Sequence, residues 1–333
     1  MRQLDHQAVV AGIVTLVLSL LAVKAVIAYA HRHAIFDIPT ARSSHAAPVP
    51  RGGGLGVLLS VMLVAAFYVV RFRDASVLVP LGAACAVGVI GWLDDRRGIS
   101  VRMRLLVHVG GGVAIAGFSL VMGGDLLWAA WWLFCAVSAI NVVNFMDGID
   151  GFVASQCFIL CAALAFLAPP GSLGLVLVWI VGGALLGFLR WNWPPATIFL
   201  GDVGSGSLGL LTVFLGALVM RDADINLVRA FLPLFPMTLD AAWTMLRRVR
   251  NGERLIQAHR SHLYQRLANG GWTHQRVTLL FSAAAAAGAM VSVVRSDHWW
   301  TLATVYGLAV FAVGALLDRT RPFIWSSIDV PAR

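Results

Sequence analysis

Residues 126–151, LLWAAWWLFCAVSAINVVNFMDGIDG, run uncharged and almost wholly apolar as far as Ile140 and then turn polar, with Asn141, Asn144, Asp147 and Asp150 following one another at intervals of three. An apolar run of this kind reads as a membrane-crossing helix. The interval of three places the polar side chains on one face if the segment stays helical. Nothing in apolar packing calls for such a stripe, so it points to chemistry at the end of a membrane span.

The same pattern holds along the rest of the 333 residues, of which 59% are hydrophobic and 12% charged. The mean hydropathy is +0.82. A soluble domain carries about 25% charged residues, so the composition excludes one and indicates an all-α, polytopic membrane protein. Eleven apolar runs approach bilayer length: residues 9–30, 55–70, 77–93, 105–122, 126–140, 152–167, 173–189, 207–220, 228–246, 277–294 and 299–317. No repeat of fixed period and no separate soluble segment interrupts them, so residues 1–333 read as one domain.

Taking the connecting loops alternately, eighteen arginines fall on one side and six on the other, and the chain's single lysine, Lys24, lies inside the first run. Basic loops stay in the cytoplasm, which puts the N-terminus outside and the C-terminus in the cytoplasm. The net charge of +9 is then a topology signal, with membrane lipid and phosphate-bearing substrates as the partners it suits and nucleic acid not among them. The first run is too long for the apolar part of a signal peptide and contains Lys24, so it reads as a retained span. Cys85, Cys135, Cys157 and Cys161 all sit in apolar runs with no zinc or disulfide spacing, as small packing residues do.

Aspartates recur at three places beside apolar runs: Asp94-Asp95, Asp147 with Asp150, and Asp202 in Gly201-Asp202-Val203-Gly204-Ser205. All three lie on the side expected to be cytoplasmic and can converge. Adjacent carboxylates repel, so Asp94-Asp95 wants a cation or a proton, the alternative being an ion-paired helix end with Arg96 and Arg97. Clustered aspartates without lysines suit a hard cation. The run Arg51-Gly52-Gly53-Gly54-Leu55-Gly56 opens a span and lets backbone N–H groups approach a phosphate, the alternative being a packing feature. Nearby Arg42, Ser43, Ser44 and His45 favour the anion reading. Asp240 stands alone in the ninth run after Pro233 and Pro236, where it either bonds a neighbouring helix or borders a cavity.

Taken in order, Pro50-Arg51-Gly52-Gly53-Gly54, Gly91-Trp92-Leu93-Asp94-Asp95, Asn144 to Gly151, Phe199-Leu200-Gly201-Asp202 and His259-Arg260-Ser261-His262 resemble the motifs of the polyprenyl-phosphate N-acetylhexosamine-1-phosphate transferases. These bacterial inner-membrane enzymes start lipid-linked glycans with an active site on the cytoplasmic face. The resemblance implies a UDP-N-acetylhexosamine donor, undecaprenyl phosphate as acceptor, UMP as product and magnesium as cofactor, with manganese as a substitute and a homodimer as an allowed assembly. It implies that Asp202 coordinates the metal with Asp94 and Asp95 beside it, one of that pair, Asp94 preferred, acting as base or positioning group. Phe199 would stack on uracil and Asp150 meet its edge, with Asn144 and Asp147 shaping the pocket. Arg51, Arg102, Arg104 and Lys24 would be phosphate contacts.

The last cytoplasmic loop departs from the common His-Leu-His-His pattern, reading His262-Leu263-Tyr264-Gln265-Arg266. The resemblance places His262, Arg260 and Arg266 on the diphosphate. Tyr264 and its neighbours would bias the choice of hexosamine, as in members that start O-antigen or capsule chains, some with 6-deoxy sugars. Nothing in the loop suits a pentapeptide, so the peptidoglycan-initiating phospho-N-acetylmuramoyl-pentapeptide transferase is the alternative within the family.

A phosphate nucleophile is ionised near neutral pH, so direct in-line attack ranks above a covalent aspartyl intermediate. An ion-coupled transporter is the rival of a different class; it calls for midplane acids and related halves, whereas these acids lie at span ends. A CDP-alcohol phosphotransferase is excluded because no Ala-Arg follows Asp147-Gly148 or Asp150-Gly151 in the required place.

Overall fold

Apolar sequence becomes helix nearly everywhere its length allows. The computed structural model describes residues 5–39, 47–254 and 259–320; Arg42, Ser43, Ser44 and His45, singled out above, lie outside them. In chain order the helices are α1 (His6–Arg32), α2 (Gly54–Phe72), α3 (Leu78–Arg97), α4 (Val101–Val121), α5 (Leu126–Met146), α6 (Phe152–Leu167), α7 (Leu173–Asn192) and α8 (Gly201–Ala223). They continue with α9 (Leu227–Phe231), α10 (Phe235–Arg250), α11 (Leu263–Asn269), α12 (His274–Val293) and α13 (Trp299–Thr320). Between α1 and α2, β1 (Phe36–Asp37) and β2 (Val49–Pro50) form a short antiparallel pair. Helix starts coincide with side chains that accept the orphan N–H groups of a first turn: Asp125 accepts from the Trp128 amide at 2.7 Å and Ser172 from the Leu175 amide at 3.1 Å.

Among the described residues, nine helices are long and apolar enough to cross a membrane, and the chain is a multi-pass membrane protein. Two of the eleven expected spans differ. The run at 152–167 is a shorter helix, α6, and the run at 228–246 is no single helix but α9, a tight turn at Leu232–Leu234, and α10. Pro233 and Pro236 explain the break, since neither has an N–H to continue the helical ladder.

Helix α8 is the axis of the bundle, with 94% of its most apolar stretch buried against 11% for the peripheral α13. It meets α2, α3 and α5 where glycines remove the side chain between backbones. A Cβ on Gly54 would lie 2.2 Å from the Gly204 Cα, and one on Gly91 would lie 2.3 Å from the Asp202 carbonyl oxygen. Close approach through small residues is how apolar helices gain packing when lipid is their solvent. Consequently the start of α8 and the ends of α3 and α5, with the segment before α2, meet at one end of the bundle.

Candidate active site

The first turn of α8 carries Asp202, and its orphan amides are met by a carboxylate from the neighbouring α3. Asp95 Oδ2 accepts from the Asp202 amide at 2.9 Å and the Val203 amide at 3.5 Å, a cap supplied across a helix interface. Arg51, in the segment leading into α2, places one guanidinium nitrogen 2.8 Å from Asp95 Oδ1 and 2.8 Å from Asp202 Oδ1. The contact with Asp202 is a hydrogen bond, whereas Asp95 Oδ1 is buried and has no hydrogen-bond partner, so its contact with Arg51 is one of charge. Burial opposes the charge on Arg51, but Asp95 and Asp202, with Asp37 and Asp147 farther off, hold its pKa above the usual value. Arg104, from α4, binds Asp94 Oδ2 at 2.6 Å and approaches Asp202 Oδ2 at 3.9 Å. The other oxygen of Asp94 accepts the Ile99 amide at 2.5 Å and fixes the turn into α4.

The second aspartate segment adjoins this cluster. Helix α5 continues through Asn141 and Asn144 and stops at Asp147, so the polar stripe is helical only in its first half; Gly151, at φ +71°, turns the chain away. Asn144 donates to the Ser205 hydroxyl at 3.0 Å. Burial pushes the Asp147 carboxyl up to about 7; Arg51 opposes this, and Asp202, Asp95 and Asp150 add to it. Asp150 accepts the Ala196 amide at 3.1 Å and lies 3.3 Å from His274 Nδ1. Asn192 ties the segment down, accepting from the Gly151 amide at 3.0 Å and donating to the Ile198 carbonyl at 2.9 Å.

A cavity of about 220 Å3 opens among these groups, lined by Arg51, Asn144, Asp147, Asp150, Phe199 and Asp202 from the expected set. Asn192 and His274, which the sequence reading did not single out, line it as well, as does Gln265, the neighbour of Tyr264 in the last loop. Asp94 and Asp95 do not line it; they reach it only through Asp202 and the arginines Arg51 and Arg104. Two expectations change here. The amides of Gly52 and Gly53 donate to the Phe199 carbonyl at 3.2 and 2.9 Å, and that of Gly54 donates to the Leu200 carbonyl at 2.8 Å. They bind the chain entering α8, so the glycine run is packing and not a phosphate cradle. Lys24 and Arg102 are exposed and do not line the cavity.

The loop between α10 and α12 also folds differently from the expectation. His262 is 1% exposed, with neither ring nitrogen hydrogen-bonded, and its Nδ1 lies 3.8 Å from Asp240. Arg266 is buried and pairs with Asp318 at the end of α13. Tyr264 is fully buried, stacks on Phe152 with centroids 4.9 Å apart and donates to the Phe145 carbonyl at 3.0 Å. Arg260, His262, Tyr264 and Arg266 do not line the cavity in this structure. The physical reason is Asp240, whose carboxylate accepts the Leu263 amide at 2.7 Å and the Tyr264 amide at 3.1 Å and so anchors α11 on α10. Asp240 thus bonds a neighbouring element and also lines a second, mainly apolar cavity with Trp243, Phe281 and Asp318.

Asp94, Asp95 and Asp202 form an oxygen-only set with one buried oxygen unmet, which fits a hard divalent cation by donor chemistry. Arg51 and Arg104 stand between the carboxylates, and among the described residues no three acidic, His or Cys side chains already converge as a closed metal site.

The family model described as glycosyl transferase family 4 matches residues 77–220, which hold Asp94 through Asp202. The chain is 26% identical to the probable undecaprenyl-phosphate N-acetylglucosaminyl 1-phosphate transferase of Bacillus subtilis, covering 95% of this chain and 94% of that protein. It is 28% identical to the decaprenyl-phosphate N-acetylglucosaminephosphotransferase of Mycobacterium leprae, covering 81% of this chain and 79% of that protein. With the undecaprenyl-phosphate alpha-N-acetylglucosaminyl 1-phosphate transferase of Escherichia coli K12 the identity is 24%, over 86% and 84%. An aspartate cluster around the start of a buried helix thus lies inside the region that the glycosyl transferase family 4 model matches, and the chain is similar along most of its length to these polyprenyl-phosphate N-acetylglucosamine-1-phosphate transferases.

Proposed function

We propose that the protein moves a sugar-1-phosphate from a UDP-N-acetylhexosamine to undecaprenyl phosphate at the cytoplasmic face of a bacterial inner membrane, as the first membrane step of O-antigen or another envelope polysaccharide. The observation that carries this reading is the cluster of Arg51 and Arg104 with Asp94, Asp95 and Asp202, beside a cavity walled by Phe199. Bringing an anionic lipid phosphate to an anionic diphosphate requires positive charge held in place. The relatives' names support a polyprenyl phosphate acceptor, and the excess of arginines on one side supports a cytoplasmic site.

In this reading Asp202, with Asp94 and Asp95, would hold magnesium or manganese. Such a cation, when bound, neutralises diphosphate oxygens and charge on the leaving group. Arg51 and Arg104, anchored by carboxylates, offer the phosphates guanidinium donors in fixed geometry. Phe199 is half-buried and would offer its ring to the uracil, and Asp150, held by the Ala196 amide, lines the same cavity. An oxygen of the ionised lipid phosphate attacks the β-phosphorus of the donor; the bond from that phosphorus to the bridging oxygen breaks, and UMP leaves with its electron pair. No proton has to be removed from the nucleophile, so no side chain is assigned as an obligatory base.

The test is UMP release by purified protein from UDP-N-acetylhexosamines, with and without undecaprenyl phosphate, in magnesium and after EDTA. The expected result is acceptor-dependent release, lost reversibly on chelation and nearly abolished in Asp202→Asn. Release independent of the acceptor, or wild-type activity in Asp202→Asn at saturating magnesium, refutes it.

A further inference from the structure

The three consecutive residues Tyr264, Gln265 and Arg266 on α11 have different environments. Tyr264 points into the core and Arg266 toward Asp318. Gln265, between them, lines the cavity. Its amide nitrogen lies against Gly148, where an added Cβ would come within 3.3 Å, and the amide hydrogen-bonds with the Tyr264 hydroxyl. Its Oε1 is buried and meets no hydrogen-bond donor. A buried acceptor without a partner is costly and uncommon in a folded protein. This one is held rigidly, because Asp240 anchors the start of α11 and the stacked Tyr264 ring fixes the next residue.

We propose that Gln265 Oε1 accepts the N–H of the 2-acetamido group on the donor sugar, making Gln265 a residue that selects N-acetylated hexoses. This rests on the reading that the cavity receives a UDP-N-acetylhexosamine. On that reading Phe199, Asp150 and Asn192 would take the nucleoside, and Arg51, Asn144 and Asp202 the diphosphate. Gln265 abuts Gly148, next to Asp147, on the wall built from the end of α5 and not on the wall carrying Phe199. The donor's hydroxyls are shared by every hexose nucleotide, so only an N–H gives Gln265 a means to select, and the uracil imide and the acetamido group bring the donor's two N–H groups. Asp150 stands at the nucleoside end as an acceptor for the first, which leaves Gln265 for the second. The Tyr264 hydroxyl hydrogen-bonds with the amide, and the oxygen is the atom left unmet for an incoming N–H.

The experiment measures how well UDP-N-acetylglucosamine, UDP-glucose and UMP each compete with a labelled donor on the full-length protein, for wild type, Gln265→Leu, Gln265→Asn and Gln265→Glu. Gln265→Leu and Gln265→Asn withdraw the acceptor and are expected to reduce the preference for UDP-N-acetylglucosamine over UDP-glucose about tenfold, the worth of one buried hydrogen bond. UMP competition should stay at the wild-type value. Gln265→Glu keeps an oxygen in place and should retain most of the preference. Equal weakening of both sugar donors, weaker UMP competition, or an unchanged preference in both withdrawing variants overturns the proposal. A wild type that turns over no UDP-N-acetylhexosamine refutes the proposed function instead, so the two failures are distinguishable.

Discussion

Removing the Asp95 side chain should cost the protein its fold stability as well as its activity, and the two losses should separate between substitutions. Asp95→Ala deletes the cap on the Asp202 amide at 2.9 Å; the bond from Val203 at 3.5 Å is too long to count for much. Loss of an N-cap costs about 1 kcal/mol, and removing a carboxylate from a partly buried helix start about 1 more. The pair with Arg51 adds little, because Arg51 is 35% exposed on its side chain and keeps Asp202 at 2.8 Å. The total is about 2 kcal/mol, several degrees of melting temperature for a chain of this size. Asp95→Asn keeps an oxygen that can accept the amide and should lose less than half of that. Both variants should lose most transfer activity. Thermal unfolding of the detergent-solubilised protein, run beside UMP release, reads both effects. If Asp95→Ala melts with the wild type, or if Asp95→Asn melts as low as Asp95→Ala, Asp95 does not cap α8.

Gly91→Ala places a Cβ 2.3 Å from the Asp202 carbonyl oxygen, a backbone atom that cannot swing aside; the expected loss is about 1–3 kcal/mol of stability together with activity, and a variant that melts and turns over like wild type refutes the tight contact. Asp147 ionises at about 7 in the folded protein against 3.8 for an ordinary aspartate. The folded state therefore holds a proton that the unfolded chain has released, and stability falls as pH rises through that window; unfolding temperatures of the ligand-free protein between pH 5 and 8 should show a shallower fall in Asp147→Asn than in wild type. Phe199→Ala should weaken the UDP-sugar by about 1–3 kcal/mol, the range for base stacking, measured as the donor's apparent constant, and an unchanged constant counts against the stacking role.

The sequence made the span pattern and the convergence of the aspartates legible because both follow from local rules. Apolar runs are contiguous, and each aspartate segment sits at a span end on the same side. What stayed hidden depended on contacts between elements far apart in the chain. Gly52, Gly53 and Gly54 look free to bind a phosphate until the carbonyls of Phe199 and Leu200 take up their amides. Tyr264 and His262 look like loop residues until Asp240, more than twenty positions earlier, draws α11 into the core. The Asp147–Asp150 interval suggested one helical face, but Gly151 at φ +71° ends that geometry. His274 and Asn192 gave no signal of their own. Only their reach to Asp150 and Gly151 brings them to the site.

The start of α8 shows how this chain holds several carboxylates at the edge of an apolar bundle. Asp94, Asp95, Asp147 and Asp202 outnumber the two guanidiniums facing them, Arg51 and Arg104. Three devices reduce the repulsion. Asp95 spends one oxygen on the positive end of α8. Asp94 spends one on the Ile99 amide, and Asp147 keeps its proton nearly to neutrality. Asp202 has no amide partner of this kind; its carboxylate meets Arg51 and Arg104, with the Asn144 side chain beside it, and is the part of the cluster that reaches the cavity. The fold thus ties one oxygen each of Asp94 and Asp95 to backbone amides, while the Asp202 carboxylate is the one that lines the cavity. For that reason an isosteric amide at Asp202 should leave α8 in place while removing the charge that the chemistry requires, whereas at Asp95 fold and chemistry depend on the same side chain.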